Sequence, residues 1–154
     1  MPQIVTQDDE RAGRAIQDSL GVTVALPFVG LVVTEGDKLV AALIFNNFDR
    51  INIDLSISAF APLSIRAIRE IAKYVFGLLR VKRVTCITRI SNTKAIDRLL
   101  TLGFEFEARL KQRFPDEDGL QFCLLRSSQK LVRKHEYPAS PRPLRDRSGS
   151  DQEQ

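Results

Sequence analysis

Ile51-Asn52-Ile53-Asp54-Leu55-Ser56-Ile57-Ser58-Ala59 alternates apolar and polar residues without a break. Ile51, Ile53, Leu55, Ile57 and Ala59 fall on one face of an extended chain, and Asn52, Asp54, Ser56 and Ser58 on the other, as in a strand with one buried side. Just beyond it, Pro62 suits the first turn of a helix, where its missing N–H is not needed. Ile68, Ile71, Ala72, Val75, Phe76 and Leu79 then repeat at helical spacing. Residues 83–88 are short and β-branched, a further strand. Because a helix separates the two strands, their natural pairing is parallel, and the whole stretch predicts a crossover inside a mixed α/β sheet.

Working outward, residues 29–34 and 39–45 are two apolar runs about a Gly36-Asp37 turn, a β-hairpin preceding the alternating strand. Before the hairpin, residues 9–20 read as a helix with Ala12, Ala15, Ile16 and Leu20 near helical spacing and Gly21 as its stop. On the far side, Ser91 or Asn92 caps a helix striped by Ala95, Ile96, Leu99 and Leu100. Gly103 fits its left-handed end, and Phe104 is placed to pack back on Leu99. Phe104, Phe106, Ala108 and Leu110 alternate with charged residues in a next strand, and the turn Pro115-Asp116-Glu117-Asp118-Gly119 leads into a last strand over 120–126. The predicted order is helix, three strands, helix, strand, helix, two strands.

Composition bounds the function. The 154 residues, 44% of them hydrophobic with nine Phe, are enough for one domain with its own core. No apolar run reaches the roughly 18 residues of a membrane span, and the polar, acidic start resembles no targeting peptide, which makes the cytoplasm the expected location and excludes a membrane partner. A net charge of +4 divides evenly between the patterned part and the remainder, too dilute for a nucleic-acid face. Cys86 and Cys123 sit in apolar runs as small hydrophobes, and the single histidine, His135, lies in an unpatterned segment, so neither a zinc site nor a histidine triad is expected. Periodicity stops after Arg126. The domain is therefore set at residues 1–126, and 127–154 as a flexible C-terminal tail with a short helical start near 128–135.

The element order, together with Asn92-Thr93-Lys94-Ala95-Ile96 and Leu102-Gly103-Phe104-Glu105-Phe106-Glu107, resembles the GNAT acetyltransferases, nearest to the ribosomal-protein alanine acetyltransferase-like group and bacteriophage-encoded relatives. The likeness covers residues 29–126. It implies a central, mostly antiparallel sheet with one parallel pair, flanked by helices, and an N-acetyltransferase that moves an acetyl group from acetyl-CoA to a primary amine of a small molecule or a protein. The family's Gly-rich pyrophosphate loop falls here on Phe60-Ala61-Pro62-Leu63-Ser64-Ile65, which holds no glycine. Leu99 stands where many members carry a Tyr that reprotonates the departing thiolate, a residue the alanine-acetyltransferase-like group often lacks. Only one helix precedes the hairpin where relatives carry two, leaving the acceptor side open or completed by another subunit, as in a homodimer.

On this resemblance the cofactor pyrophosphate would lie on the amides of Leu63, Ser64 and Ile65, with the Ser64 hydroxyl and the Arg66 charge assisting. An amide near Ile57 or Ser58 would polarise the thioester carbonyl. Asn92 would fix the pantetheine arm beside Ala95, or else serve as a plain helix cap. Arg69, Arg89 and Lys94 flank the same proposed anion site, or are ordinary surface charges. Asp54, on the polar row, is the candidate base, against the alternative of a hydrogen-bonded strand face. Residues 46–50 form a polar loop that touches an acceptor or merely turns the chain. No Cys or Ser has a base partner, so attack would be direct, without a covalent enzyme intermediate. The rival reading is a catalytically silent acyl-CoA-binding or assembly protein of the same fold.

Overall fold

The computed structural model describes residues 1–133. The elements run β1 (Gln3–Gln7), α1 (Asp9–Leu20), β2 (Phe28–Glu35), β3 (Lys38–Asn46), β4 (Asn52–Ala59), α2 (Ile65–Ala72), β5 (Arg83–Arg89), α3 (Thr93–Thr101), β6 (Glu105–Leu110) and β7 (Gly119–Leu125). One seven-stranded sheet has the order β1-β2-β3-β4-β5-β7-β6. Only β4 and β5 are parallel, and the other neighbours are antiparallel. The mixed α/β architecture is thus the expected one, with one strand more than the sequence suggested. β1 has only Ile4 and Val5 as apolar residues and no alternation to betray it. It forms by pairing along β2, from Gln3↔Glu35 to Gln7↔Leu31.

The two faces of the sheet bury different layers. On one, α2 and α3 cover Leu43, Phe45, Ile53, Val84, Phe122 and their neighbours. On the other, α1 brings Ala12 and Ile16 against Val32, Ala42 and Ile44. The approach of α1 is close because Gly30 has no side chain: a Cβ there would stand 2.6 Å from the Ala12 Cβ and 2.9 Å from the Asp9 Cα. Two bonds fix the contact, Asp8 N–H to the Gly30 carbonyl (3.0 Å) and Gly30 N–H to Asp9 Oδ1 (2.8 Å).

Three boundaries differ from expectation. The second helix opens at Ile65 rather than around Pro62, because Ser64 stays extended (φ −70°, ψ 151°) and its Oγ accepts the Ala67 amide at 3.1 Å, an N-cap. Its continuation over Lys73–Leu78 is a π-helix, and Ala72, Val75, Phe76 and Leu79 are buried as the stripe predicts. β6 does not alternate cleanly. Its register against β7 shifts between Phe106 and Ala108, and Phe106, on the edge strand opposite Phe122, is 55% exposed with its ring edge-on to Phe122 at 6.0 Å. Finally, packing runs past Arg126: Val132 is 4% exposed within the core and Leu131 packs on it. The domain therefore takes in at least Val132, since its core would otherwise lie open. The rest of the expected tail, from 134 on, lies outside the described residues.

The α3 terminus follows the sequence closely. Asn92 Oδ1 accepts the Ala95 amide (3.1 Å) at its start. At its end Gly103 takes φ 99°, and the amides of Gly103 and Phe104 return to the carbonyls of Leu100 and Leu99. That pair of reversed bonds makes the left-handed glycine cap and seats Phe104 in the core beside Leu99. Among the described residues, no helix is long and apolar enough to cross a membrane.

Candidate active site

β4 and β5 are in register only from Asn52↔Arg83 to Leu55↔Cys86. β4 nevertheless continues to Ala59 against β3, and β5 to Arg89 against β7. The parallel strands therefore part, and a wedge opens at their carboxyl ends, the usual position for a ligand between parallel strands. Backbone alternation decides which groups line it. Phe60 N–H donates to the Val40 carbonyl at 2.7 Å, so along β4 the amides of Ser58, Ser56 and Asp54 face β3. The Ile51 carbonyl accepts from Arg83 at 3.0 Å, so the odd-numbered residues face β5. The N–H and C=O of Ile57 point into the wedge, beyond the last registered pair.

Ser58 is thereby separated from Ile57. Its amide faces β3 and its hydroxyl, buried against α1, bonds the hydroxyl of Ser19. The β3–β4 ladder keeps one register throughout, so β4 carries no bulge.

In the chain α2 follows β4 and α3 follows β5, and the loop before α2 is bonded to the edge strand β1. At α2, the Ser64 hydroxyl oxygen accepts the Ala67 amide and keeps its O–H to donate, while the Ser64 amide donates to Gln3 Oε1 at 2.7 Å. Gln3 Nε2 donates in turn to the Pro62 carbonyl at 2.9 Å. The first-turn amides outside these bonds belong to Ile65 and Arg66. The Arg66 side chain is 81% exposed and its nearest carboxylate, Glu70, is 3.9 Å away. Leu63 turns inward to line an apolar cavity of about 80 Å³ under α2, together with Leu55, Ile57, Ile71, Leu102 and Leu131.

At α3, Asn92 Oδ1 and the Ala95 amide are used on one another in the cap. Arg89, expected to flank an anion, is engaged elsewhere. It bonds Asp116 (2.6 Å) and Glu117 (3.3 Å) and lies over the Phe114 ring at 4.5 Å. Glu117 also accepts the Ser91 amide and hydroxyl, both at 2.9 Å. The acidic turn after β6 thus pins the loop between β5 and α3. The Ser91 bonds hold Glu117 below the usual carboxylate range, and the Arg89 bond does the same for Asp116.

Asp54 lies on the polar row, the face away from α2. Both its oxygens are occupied: Oδ1 accepts from Asn52 Nδ2 and Oδ2 from Asn47 Nδ2, each at 2.9 Å. The polar contacts continue through Thr85, which donates to Asn52 (2.6 Å), to Arg83, Glu107 and Gln121. A hydrogen-bonded row thus crosses the sheet from the β3–β4 loop to β6. In that loop Asp49 accepts the Asn52 and Ile51 amides, which lower its pKa, so turn chemistry accounts for the loop's polarity. Cys86 and Cys123 are buried free thiols, and burial pushes Cys86 up to about 12. Among the described residues no cluster of His, Cys, Asp and Glu is arranged for a metal.

The Gln3 contact with the loop before α2 is one that the sequence concealed. Its two bonds span 59 and 61 positions, and no local pattern announces such a contact.

Comparison by sequence finds no match, either to a protein-family model or to a curated protein. Comparison by structure finds the fold. The chain is similar to the ribosomal-protein-S5-alanine acetyltransferase of Vibrio fischeri, with a TM-score of 0.58 and 18% identity over 67% of this chain. It spans 64% of the length of that protein. It is also similar to a mutant form of the spermidine N-acetyltransferase SpeG of Vibrio cholerae, with a TM-score of 0.68 and 15% identity over 87% of this chain and 98% of that one. A dodecameric form of SpeG aligns with a TM-score of 0.66 and 14% identity over 81% of this chain and 94% of that one. The fold is that of the GNAT acetyltransferases.

Proposed function

We propose that this protein is an N-acetyltransferase that takes the acetyl group of acetyl-CoA to a primary amine by direct attack. The observation that carries the reading is the wedge between β4 and β5, with the main-chain groups of Ile57 turned into it and a helix following each of the two strands in the chain. A pantetheine arm is an amide-bearing chain, and an unpaired strand edge is what such a chain can bond. The diphosphate lies on the amides of Ile65 and Arg66, with the α2 dipole and the Arg66 charge behind them. Ile57 N–H polarises the thioester carbonyl. Asp54, one residue before the strands part, receives the amine proton; a carboxylate that accepts two neutral donors still has lone pairs for it. A buried Cys86, held protonated, is no nucleophile, which favours direct transfer.

The structural neighbours are named for two different amines, a polyamine and an alanine, so the acceptor class stays at "primary amine". A second reading, a silent acyl-CoA-binding protein, draws on the glycine-free loop and the occupied Ser64 amide. One experiment separates them. Acetyl-CoA is titrated calorimetrically, and then acetyl transfer is assayed against spermidine, an alanine-initiated peptide and a mixed amine panel. Saturable binding with transfer supports the enzyme, binding without transfer across the panel supports the second reading, and absence of binding refutes both.

A further inference from the structure

The Gln3 carboxamide is bonded at both ends to the loop before α2: it accepts the Ser64 amide at 2.7 Å and donates to the Pro62 carbonyl at 2.9 Å. That loop has no glycine, and no residue from 60 to 66 has a positive φ. Glycine-rich phosphate loops approach their ligand by using conformations closed to other residues. A loop of ordinary residues has to present its amides by being held in one shape instead. Pro62 stiffens one bond of it. The rest of the restraint comes from outside, from the edge strand β1.

We infer that Gln3 is a positioning residue for the CoA diphosphate, an inference that rests on the acetyl-CoA reading above. Its carboxamide does two things there. It fixes the chain from Pro62 to Ser64, so that the Ile65 and Arg66 amides at the head of α2 are presented together. It also occupies the Pro62 carbonyl, an acceptor whose lone pairs would repel a phosphate oxygen. Such a clamp spares the binding step the cost of ordering the loop.

The test measures CoA affinity of the full chain by calorimetry at about pH 7.5 and about pH 5, for the parent, Gln3→Ala and Gln3→Glu. Gln3→Ala loses both bonds and binds CoA about 3- to 30-fold more weakly, by a ratio to the parent that is the same at both pH values. Gln3→Glu is nearly isosteric. Ionised, it cannot donate to the Pro62 carbonyl and sets a negative charge near the diphosphate, so it binds more weakly than Gln3→Ala at the higher pH. Protonated, it has an O–H for Pro62 and a C=O for Ser64, so its deficit relative to the parent shrinks at the lower pH. A residue that served only to hold β1 in place would give no such pH-dependent recovery. Parent-like affinity in both variants, or a Gln3→Glu deficit indifferent to pH, overturns the inference while leaving the acetyl-CoA reading standing. A parent that does not bind CoA overturns both.

Discussion

Replacing Ile57 with proline isolates the single main-chain donor on which the chemistry is proposed to turn. In most central strands proline breaks a ladder bond. Here the Ile57 amide faces the wedge, past Leu55↔Cys86, and the bonds of β4 to β3 belong to the even-numbered residues. Ile57→Pro thus removes no ladder bond. Its cost is the lost apolar volume of a half-buried side chain at the cavity wall, about 1–2 kcal/mol. Ser58→Pro is the contrast, because it deletes an amide facing β3 and the buried hydroxyl contact with Ser19. Urea unfolding should therefore rank Ile57→Pro as clearly more stable than Ser58→Pro. In the transfer assay Ile57→Pro should lower kcat by about 10²- to 10³-fold, the usual worth of one oxyanion donor. Ile57→Val, which keeps the N–H, controls for the side chain. Parental kcat in Ile57→Pro removes this amide from the mechanism, and equal instability of the two proline variants refutes the alternation argument itself.

Asp54→Asn keeps the shape of the side chain but cannot take a proton, so turnover should fall by about 10²- to 10⁴-fold at neutral pH and partly recover as the pH rises, with CoA affinity little changed. Unaltered turnover returns Asp54 to a hydrogen-bonded strand residue. Gly30→Ala places a methyl 2.6 Å from the Ala12 Cβ, so α1 must shift, and chemical denaturation should show a loss of about 1–3 kcal/mol. The carboxylates of Asp116 and Glu117 are lowered by Arg89 and Ser91 respectively, and Asp118 by the Gln112 amide and Arg109. A lowered folded pKa gives stability that is present above the ordinary carboxylate range of about 4 and is lost as pH falls through the folded values. Urea midpoints taken from pH 6 downward should drop more steeply in the parent than in Glu117→Gln, and parallel curves would show that these bonds contribute nothing to folding.

Much of the fold was legible because burial imposes a period. The row from Ile51 to Ala59 reads as a strand since one face meets α2 and the other α1 or the open polar side. The glycine after α3 reads as a cap since the left-handed conformation at residue 103 disfavours other residues. β1 was hidden for the opposite reason. An edge strand of five residues, exposed at Ile4 and Thr6 and only partly buried at Gln3 and Val5, needs only a partner's free edge, and the partner β2 carries that information. Val132 is a similar case, buried by the fold beside Leu131 in a segment without periodicity.

The site was less legible because its chemistry depends on which polar groups are already spoken for. Ser64, Arg66, Arg89 and Asn92 all look equally able to meet a phosphate when read as residue types. Hydrogen bonding sorts them in part: the Ser64 amide is taken by Gln3 and its hydroxyl oxygen by Ala67, Arg89 by Asp116 and Glu117, and Asn92 Oδ1 by Ala95, while Arg66 has only Glu70 at 3.9 Å. The same sorting separates Ile57 from Ser58, adjacent residues whose amides face opposite neighbours. A donor hydrogen already bonded within the fold must leave its partner to meet a ligand, at a cost near that of the bond it would gain. The groups left over, the Ile57 main chain in the wedge and the Ile65 and Arg66 amides at the head of α2, are therefore where a ligand would bind with least loss.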